Sequence, residues 1–212
     1  MGKGKGKGIF ASSAWHGADF ELSIEFANHS NTRLQKALVT LWSHPTLDGC
    51  YKRRKIDPWK QPRLDPADSD NLQKGELLGV ATLPNGRQAA CRSNVVIGNE
   101  EVADLLYFGV PMASLGYSYP VGAYPIDDGA PLDWRESINE WLRDIGEVIY
   151  ANVKYRLGLV GHDVGGLLEA DEFEVDGIPD QRWEGYLWPE GEELMWFPPN
   201  MGAPMTFNTR IS

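Results

Sequence analysis

The sequence predicts an α+β fold, in which a mainly antiparallel sheet with hairpins packs against two main helices. Two observations predict it. Strand patterns are grouped before and after the clearest helical pattern, and hairpin turns rather than regular helices separate neighbouring strands. The chain of 212 residues, 42% of them hydrophobic, suffices for one sizeable core. We expect a flexible Gly/Lys tail over residues 1–13 and a single α+β domain over residues 14–212.

The first strand and the first helix are predicted from the spacing of apolar residues. The stretch DFELSIEF at residues 19–26 alternates apolar and polar side chains, which is the period of a half-buried strand. Three leucines and a tryptophan then recur at helical spacing in TRLQKALVTLW, which predicts a helix over residues 32–43. Pro45 ends this helix, because a proline disfavours helical backbone in the residue before it.

A loop and a hairpin are predicted next. Residues 45–75 contain four prolines and the basic run KRRK with few apolar residues, which predicts a long loop. The basic run could contact phosphate or an acidic surface, or it could form a solvated charge cluster. Residues 77–83 and 87–97 flank a Pro-Asn-Gly turn, which predicts a hairpin because asparagine and glycine accept positive φ. Residues 101–112 favour a third strand over a short helix.

The clearest helix is predicted over residues 134–152. Two tryptophans and several branched apolar residues form one stripe there. Asp133 and Glu136 resemble a capping box at its start. A strand over residues 153–161 is expected to follow.

Composition excludes several classes of protein. No stretch approaches the roughly 20 apolar residues that span a bilayer, so we expect no membrane contact. The start lacks the apolar core of a secretory signal, which predicts a cytoplasmic location. Cys50 and Cys91 are too few for a disulfide framework, and the four histidines have no further ligands at metal-site spacing. We therefore expect reduced thiols, no metal and no cofactor.

Charge is distributed unevenly along the chain. The net charge of −10 combines 14 basic and 9 acidic residues before residue 98 with 6 basic and 21 acidic residues from there onward. A strongly acidic half opposes nonspecific binding to nucleic acid and attracts a basic partner. A solvated surface that keeps the protein soluble explains the same charge. We expect no nucleic-acid partner and a basic protein as the partner.

One short stretch has the local form of a catalytic motif. In LVGHDVGG, Asp163 follows His162 and stands between glycines at the end of a predicted strand. The stretch resembles the nucleophile elbow of the α/β-hydrolase family, in the subgroup of epoxide hydrolases and haloalkane dehalogenases. The resemblance implies that Asp163 is a nucleophile that forms a covalent ester, with Gly161 and Gly165 as the small flanking residues.

Other features of the chain favour a simple turn at the same place. The family's catalytic base is a histidine downstream of the nucleophile, and no histidine follows Asp163. A strand that ends at Gly161, with the Asp163 side chain capping a glycine-rich turn, explains the same residues. We therefore predict no catalytic residues, and we keep Asp163 and His162 as the alternative.

The region after this turn is both acidic and aromatic. Six acids lie within residues 169–180, and a hairpin candidate then pairs residues 183–188 with residues 194–197. Large apolar groups on both faces of that hairpin indicate either burial between layers or an exposed aromatic patch. Because partner surfaces combine aromatic anchors with charge, we predict partner-binding residues here. They are Glu169, Asp171, Glu172, Glu174, Asp176, Trp183 and Trp188.

The sequence leaves hypotheses from different classes. The favoured one is a noncatalytic acidic domain that binds a basic protein, as the immunity proteins that neutralise bacterial toxins do. One alternative is a hydrolase that uses Asp163 as its nucleophile. A further alternative is a structural component of a larger assembly. Partner identity and oligomeric state stay open at this point.

Overall fold

A computed structural model describes residues 9–27, 29–68, 70, 75–99, 102–122, 124–125, 132–165 and 170–201. This part of the chain forms one eight-stranded sheet with the order β2-β3-β4-β5-β1-β6-β7-β8. Its strands are β1 (Asp19–Phe26), β2 (Leu47–Tyr51), β3 (Leu77–Thr82), β4 (Gln88–Val96), β5 (Asp104–Pro111), β6 (Leu157–His162), β7 (Gly185–Glu190) and β8 (Glu193–Phe197). All neighbouring strands are antiparallel, and the predicted α+β class is confirmed.

Two long helices cover one face of the sheet, as the sequence predicts. The helices of the described chain are α1 (Asn31–Trp42), α2 (Met112–Leu115), α3 (Asp133–Asn152) and α4 (Ala170–Asp176). Short 3-10 turns lie at Ser12–Trp15 and Pro58–Lys60. The apolar stripes of α1 and α3 pack on the apolar side chains of β1, which form the centre of the main core. Those side chains are Phe20, Leu22, Ile24 and Phe26.

A tryptophan of α1 sets a steric constraint on the sheet. The indole ring of Trp42 lies on Gly49 of β2 and Gly79 of β3, where a Cβ on either glycine would overlap the ring. Its Nε1 donates a hydrogen bond to Oγ of Ser93 at 3.0 Å. These two glycines therefore allow a close contact between helix and sheet that a larger residue would prevent.

The second face of the sheet is covered in two places, which corrects the half-buried pattern predicted for β1. All eight residues of β1 are buried. Phe10 and Trp15 pack on the face formed by β2, β3 and β4, and Phe173 of α4 packs on β6 and β7. Phe10 lies within the stretch predicted as a tail over residues 1–13, and it is only 1% exposed and packs in the first of these covers.

Several local predictions hold and others need correction. Four elements lie where the sequence places them. They are the first strand, the hairpin around the Pro-Asn-Gly turn, the hairpin over residues 183–197 and the strand from Asp104. The predicted loop over 45–75 contains β2, which pairs with β3. Leu132 occupies the N-cap position of α3, and no side chain makes a capping hydrogen bond there. The capping box predicted from Asp133 and Glu136 therefore does not form. The acidic stretch over residues 169–180, for which the sequence analysis gives no helix, contains the short helix α4.

Candidate functional site

A row of polar side chains on β1 lies between the two covers of the second face. Strand alternation directs these side chains away from the main core. A cavity of about 230 Å³ opens beside them, and we call this cavity the polar cleft. It is lined by Asp19, Glu21, Glu76, Arg92, Ser93, Asn94, Tyr107 and Gly109. The acids of β1 that the sequence assigns to a solvated face therefore line an internal site.

An ion-pair network forms one wall of the polar cleft. Arg92 donates from Nε to one carboxylate oxygen of Asp19 at 2.6 Å and from Nη2 to the other at 2.9 Å. The Asp19 side chain passes over Gly109 of β5, where a Cβ would lie 2.7 Å from the Cβ of Asp19. Arg92 also contacts Glu76 at 3.2 Å, and Arg54 of the basic run donates two hydrogen bonds to Glu76. Arg54 is thereby committed to an internal contact.

Glu21 is a titratable group of the polar cleft whose pKa lies near neutral pH. Burial raises its pKa to about 7, although the backbone N–H of Gly165 donates to its Oε1 at 2.8 Å. The neighbouring carboxylates of Asp19 and Asp163 raise the pKa further, and Arg92 opposes them. A carboxyl group with this pKa can accept or donate a proton near pH 7.

Asp163 lies at the end of β6 in a left-handed backbone conformation, with φ of 53°. Its backbone N–H donates to the carbonyl oxygen of Asp19 at 2.9 Å, which fixes the turn against β1. No hydrogen bond within the described chain joins Asp163 to a histidine. The neighbouring His162 ring contacts Tyr124 at 5.6 Å between centroids, and burial lowers the pKa of His162.

The resemblance to the α/β-hydrolase family does not extend to the fold. The elbow of that family follows a strand of a largely parallel sheet with intervening helices. Here β6 runs antiparallel to both of its neighbours, β1 and β7. The similarity is therefore confined to the turn around Asp163.

The acids of α4 divide between two flanks of the helix. Arg156 pairs with Asp171 and Glu174 on one flank, and the Glu174 contact is 3.0 Å long. By helical spacing, Glu172 and Asp176 project from the opposite flank, and both are exposed. Of the predicted partner-binding residues, Glu169 lies outside the described residues. All four acids are exposed, and the structure thus separates those that pair with Arg156 from those that do not.

The aromatic hairpin β7–β8 forms one end of the sheet. Trp183 and Trp188 are both half-buried, so neither the fully buried nor the fully exposed arrangement applies to them. The Trp188 ring lies 6.2 Å from that of Phe173 on α4. The carbonyl oxygen of Trp183 accepts a hydrogen bond of 2.8 Å from Nη2 of Arg135. Trp188 therefore joins the surface formed with α4.

A second space, of about 580 Å³, lies between α3 and β8, and we call it the edge groove. Two of its residues, Arg135 and Asn139, are polar and buried, with exposures of 6% and 4%. Nε of Arg135 and Oδ1 of Asn139 have no hydrogen-bond partner among the described residues. The groove is lined by Leu132, Arg135, Glu136, Asn139, Glu140, Arg143, Trp196, Pro198, Pro199, Asn200 and Met201.

The sequence prediction missed both spaces. The polar cleft had one signal, since β1 carries three acids at alternate positions of a strand whose other face is apolar.

Within the described residues, no cluster of three or more His, Cys, Asp or Glu side chains is placed to hold a metal ion. The helices described in the structure include none that combines the length and apolarity needed to cross a bilayer.

Comparison with protein families, with curated proteins and with solved structures found no match for this chain. No relative therefore assigns a role to the polar cleft, the edge groove or the acids of α4.

Proposed function

We propose that this protein is a noncatalytic binding protein that captures a basic protein, in the way that immunity proteins neutralise bacterial toxins. One observation carries the proposal, namely the exposed carboxylates that α4 and the β7–β8 turn present around Trp188. We call them the acidic surface, and they are Glu172, Asp176, Glu190, Glu192 and Glu193. No ion pair between described residues involves any of the five.

The two parts of the acidic surface extend from the same end of the sheet. Leu187 of β7 pairs with Gly158 of β6, so the β7–β8 turn lies at the end where β6 begins. Arg156, just before β6, holds α4 at that end through Asp171 and Glu174. The charges of the helix and of the turn therefore act on an approaching partner together.

The chemistry of the acidic surface favours a basic protein as the partner. Exposed carboxylates accelerate encounter with a positively charged surface, and their effect weakens as salt increases. Trp188, half-buried against Phe173, supplies an aromatic anchor of the type that dominates binding energy at interfaces. Val175, which is 84% exposed, adds apolar area on α4.

Charge reversal on the unpaired flank of α4 tests the proposal. A stoichiometric basic partner should copurify with the wild-type protein from the native organism at low salt. The double variant Glu172→Lys with Asp176→Lys should slow association with that partner about tenfold or more, because it reverses charges in the steering field. Measurement of association rates at several salt concentrations distinguishes steering from a loss of folding.

A matched control reverses the same number of charges elsewhere. Asp48→Lys with Asp68→Lys changes two exposed acids, one of them on β2 at the opposite edge of the sheet, and the lost surface pair of Asp48 with Arg63 contributes little to stability. The control should retain most of the association rate. The proposal is refuted if both double variants bind equally well, or if no basic partner is recovered at low salt. The toxin-specific form requires that the partner be a toxic protein whose effect on growth this chain suppresses.

Hydrolysis at Asp163 is a second candidate, on a fold other than that of the α/β-hydrolases. The observation that favours it is the left-handed backbone of Asp163 near Glu21, whose pKa of about 7 suits a general base. Screening of epoxide, haloalkane and ester substrates should then show turnover that both Asp163→Asn and Glu21→Gln abolish. Equal background from the wild type and the Asp163→Asn variant would exclude this candidate.

A further inference from the structure

The outer edge of β8 carries backbone groups that point away from the sheet. Pro189 of β7 pairs with Leu194 of β8. Because proline has no N–H, this pair occupies a non-hydrogen-bonded position of the ladder. Alternation then directs the backbone N–H and C=O groups of Leu194 and Trp196 outward, and those of Met195 toward β7. Among the described residues, β7 is the only strand that pairs with β8.

The edge groove runs beside this edge of β8. Trp196 contributes to both features, because its side chain lines the groove and its backbone lies on the edge. Leu132, Pro199 and Met201 add apolar surface to the same space. A strand that added to β8 would place every second side chain on the side of the sheet where α3 and this groove lie.

The buried polar groups of the edge groove are a second, independent sign of a ligand. An unpaired buried donor or acceptor lowers the stability of the folded protein. Arg135 and Asn139 each retain one such atom among the described residues, at 6% and 4% exposure. Native proteins keep few such groups, and a polar ligand that enters the groove can satisfy them.

We propose that β8 and the edge groove bind an extended basic segment of a partner protein by strand addition. This inference rests on the proposed function, because it names the segment that the basic partner supplies. Charge complementarity identifies the occupant. Glu136 and Glu140 form the α3 rim and Glu193 begins β8, and all three are exposed. Of the two arginines that line the groove, Arg143 pairs with Asp144 and Glu147 on α3, and the buried Arg135 donates to the backbone carbonyl oxygens of Trp183 and Met201.

Amide exchange at single residues tests the proposal with an internal control. The probe is an acetylated and amidated octapeptide of alternating lysine and valine, and its counterpart alternates glutamate and valine. In the unbound protein the outward amides of Leu194 and Trp196 should exchange fast, whereas the inward amide of Met195 should be protected. When nine-tenths of the protein is bound to the lysine peptide, exchange at both outward amides should slow about tenfold, because only the unbound fraction exchanges.

The outcomes separate this inference from the proposed function. Binding of the lysine peptide without protection of Leu194 and Trp196 overturns the assignment to β8 and leaves a basic partner possible at the acidic surface. Equal protection by the glutamate peptide, or no binding of the lysine peptide, also overturns it. Protection in the unbound protein that increases with protein concentration assigns the edge to a second copy of this chain instead.

A groove variant adds a readout that a merely structural role would not give. Asn139→Leu replaces an unsatisfied buried amide by an apolar group of similar size, which should maintain or increase stability against urea. The same variant should weaken binding of the lysine peptide about tenfold, because the polar wall of the groove is lost. Unchanged binding by a stable Asn139→Leu protein contradicts the role assigned to the groove.

Discussion

Replacement of Glu21 by glutamine removes one titration from the polar cleft, and its effect on stability can be calculated. Burial raises the pKa of Glu21 from an ordinary value of 4.5 to about 7. The folded protein therefore binds this proton more tightly than the unfolded chain does, and stability falls as pH increases from 4.5 to about 7. At about 1.4 kcal/mol per pH unit, the total loss is about 3 kcal/mol, and most of it falls between pH 5 and pH 8.

Urea unfolding at half-unit steps between pH 5 and pH 8 measures this loss. The Glu21→Gln protein keeps the acceptor for the Gly165 N–H and cannot ionise, so its stability relative to wild type should rise by about 2–3 kcal/mol across the range. The comparison cancels the histidine titrations, which are common to both proteins. Glu172→Gln, at an exposed position, is the control and should track wild type. A constant difference between wild type and Glu21→Gln from pH 5 to pH 8 would refute the buried, protonated carboxyl.

Three further substitutions test packing and electrostatics elsewhere in the fold. Gly79→Ala should cost about 1–3 kcal/mol, because its Cβ overlaps the Trp42 ring, and Trp42→Leu should relieve part of that cost in the double variant. Asp104→Asn should cost about 1–3 kcal/mol at pH 7 by urea unfolding. Burial of Asp104 is outweighed by three hydrogen bonds that lower its pKa, so the difference should vanish as pH falls below about 4. Phe10→Ala should lower the free energy of unfolding by about 3 kcal/mol, whereas Val175→Ala should leave it unchanged.

The elements that the sequence predicts well are those defined by local spacing. The strand at residues 19–26 and the hairpin around the Pro-Asn-Gly turn need only period-two alternation and a residue that accepts positive φ. The long helix α3 begins within one residue of its expected start, because its apolar stripe is continuous. The prolines and the basic run of residues 45–75 predict a loop that includes residues 47–51, whereas the pairing of this segment with β3 is a tertiary contact.

The candidate sites depend on contacts between distant parts of the chain, which periodicity does not encode. Glu21 has a raised pKa because segments far from β1 bury it, and Gly165 lies 144 positions along the chain from it. Arg92 reaches Asp19 only because Gly109 lies between them on the intervening strand. Nothing in the separate stretches around Asp19, Arg92 and Gly109 indicates that they meet.

The acidic residues of the chain form two groups that the net charge does not distinguish. Asp19 and Glu76 pair with arginines of the same chain, and Asp104 accepts hydrogen bonds from His29 and two backbone N–H groups. The contrast between a basic first half and an acidic second half also does not describe the surface. The sheet interleaves the halves, since β1 lies between β5 and β6, and Arg54 of the basic run is paired with Glu76. A basic partner would therefore be attracted by the unpaired acids of α4 and the β7–β8 turn, and charge reversal there should affect association more than the same reversal elsewhere.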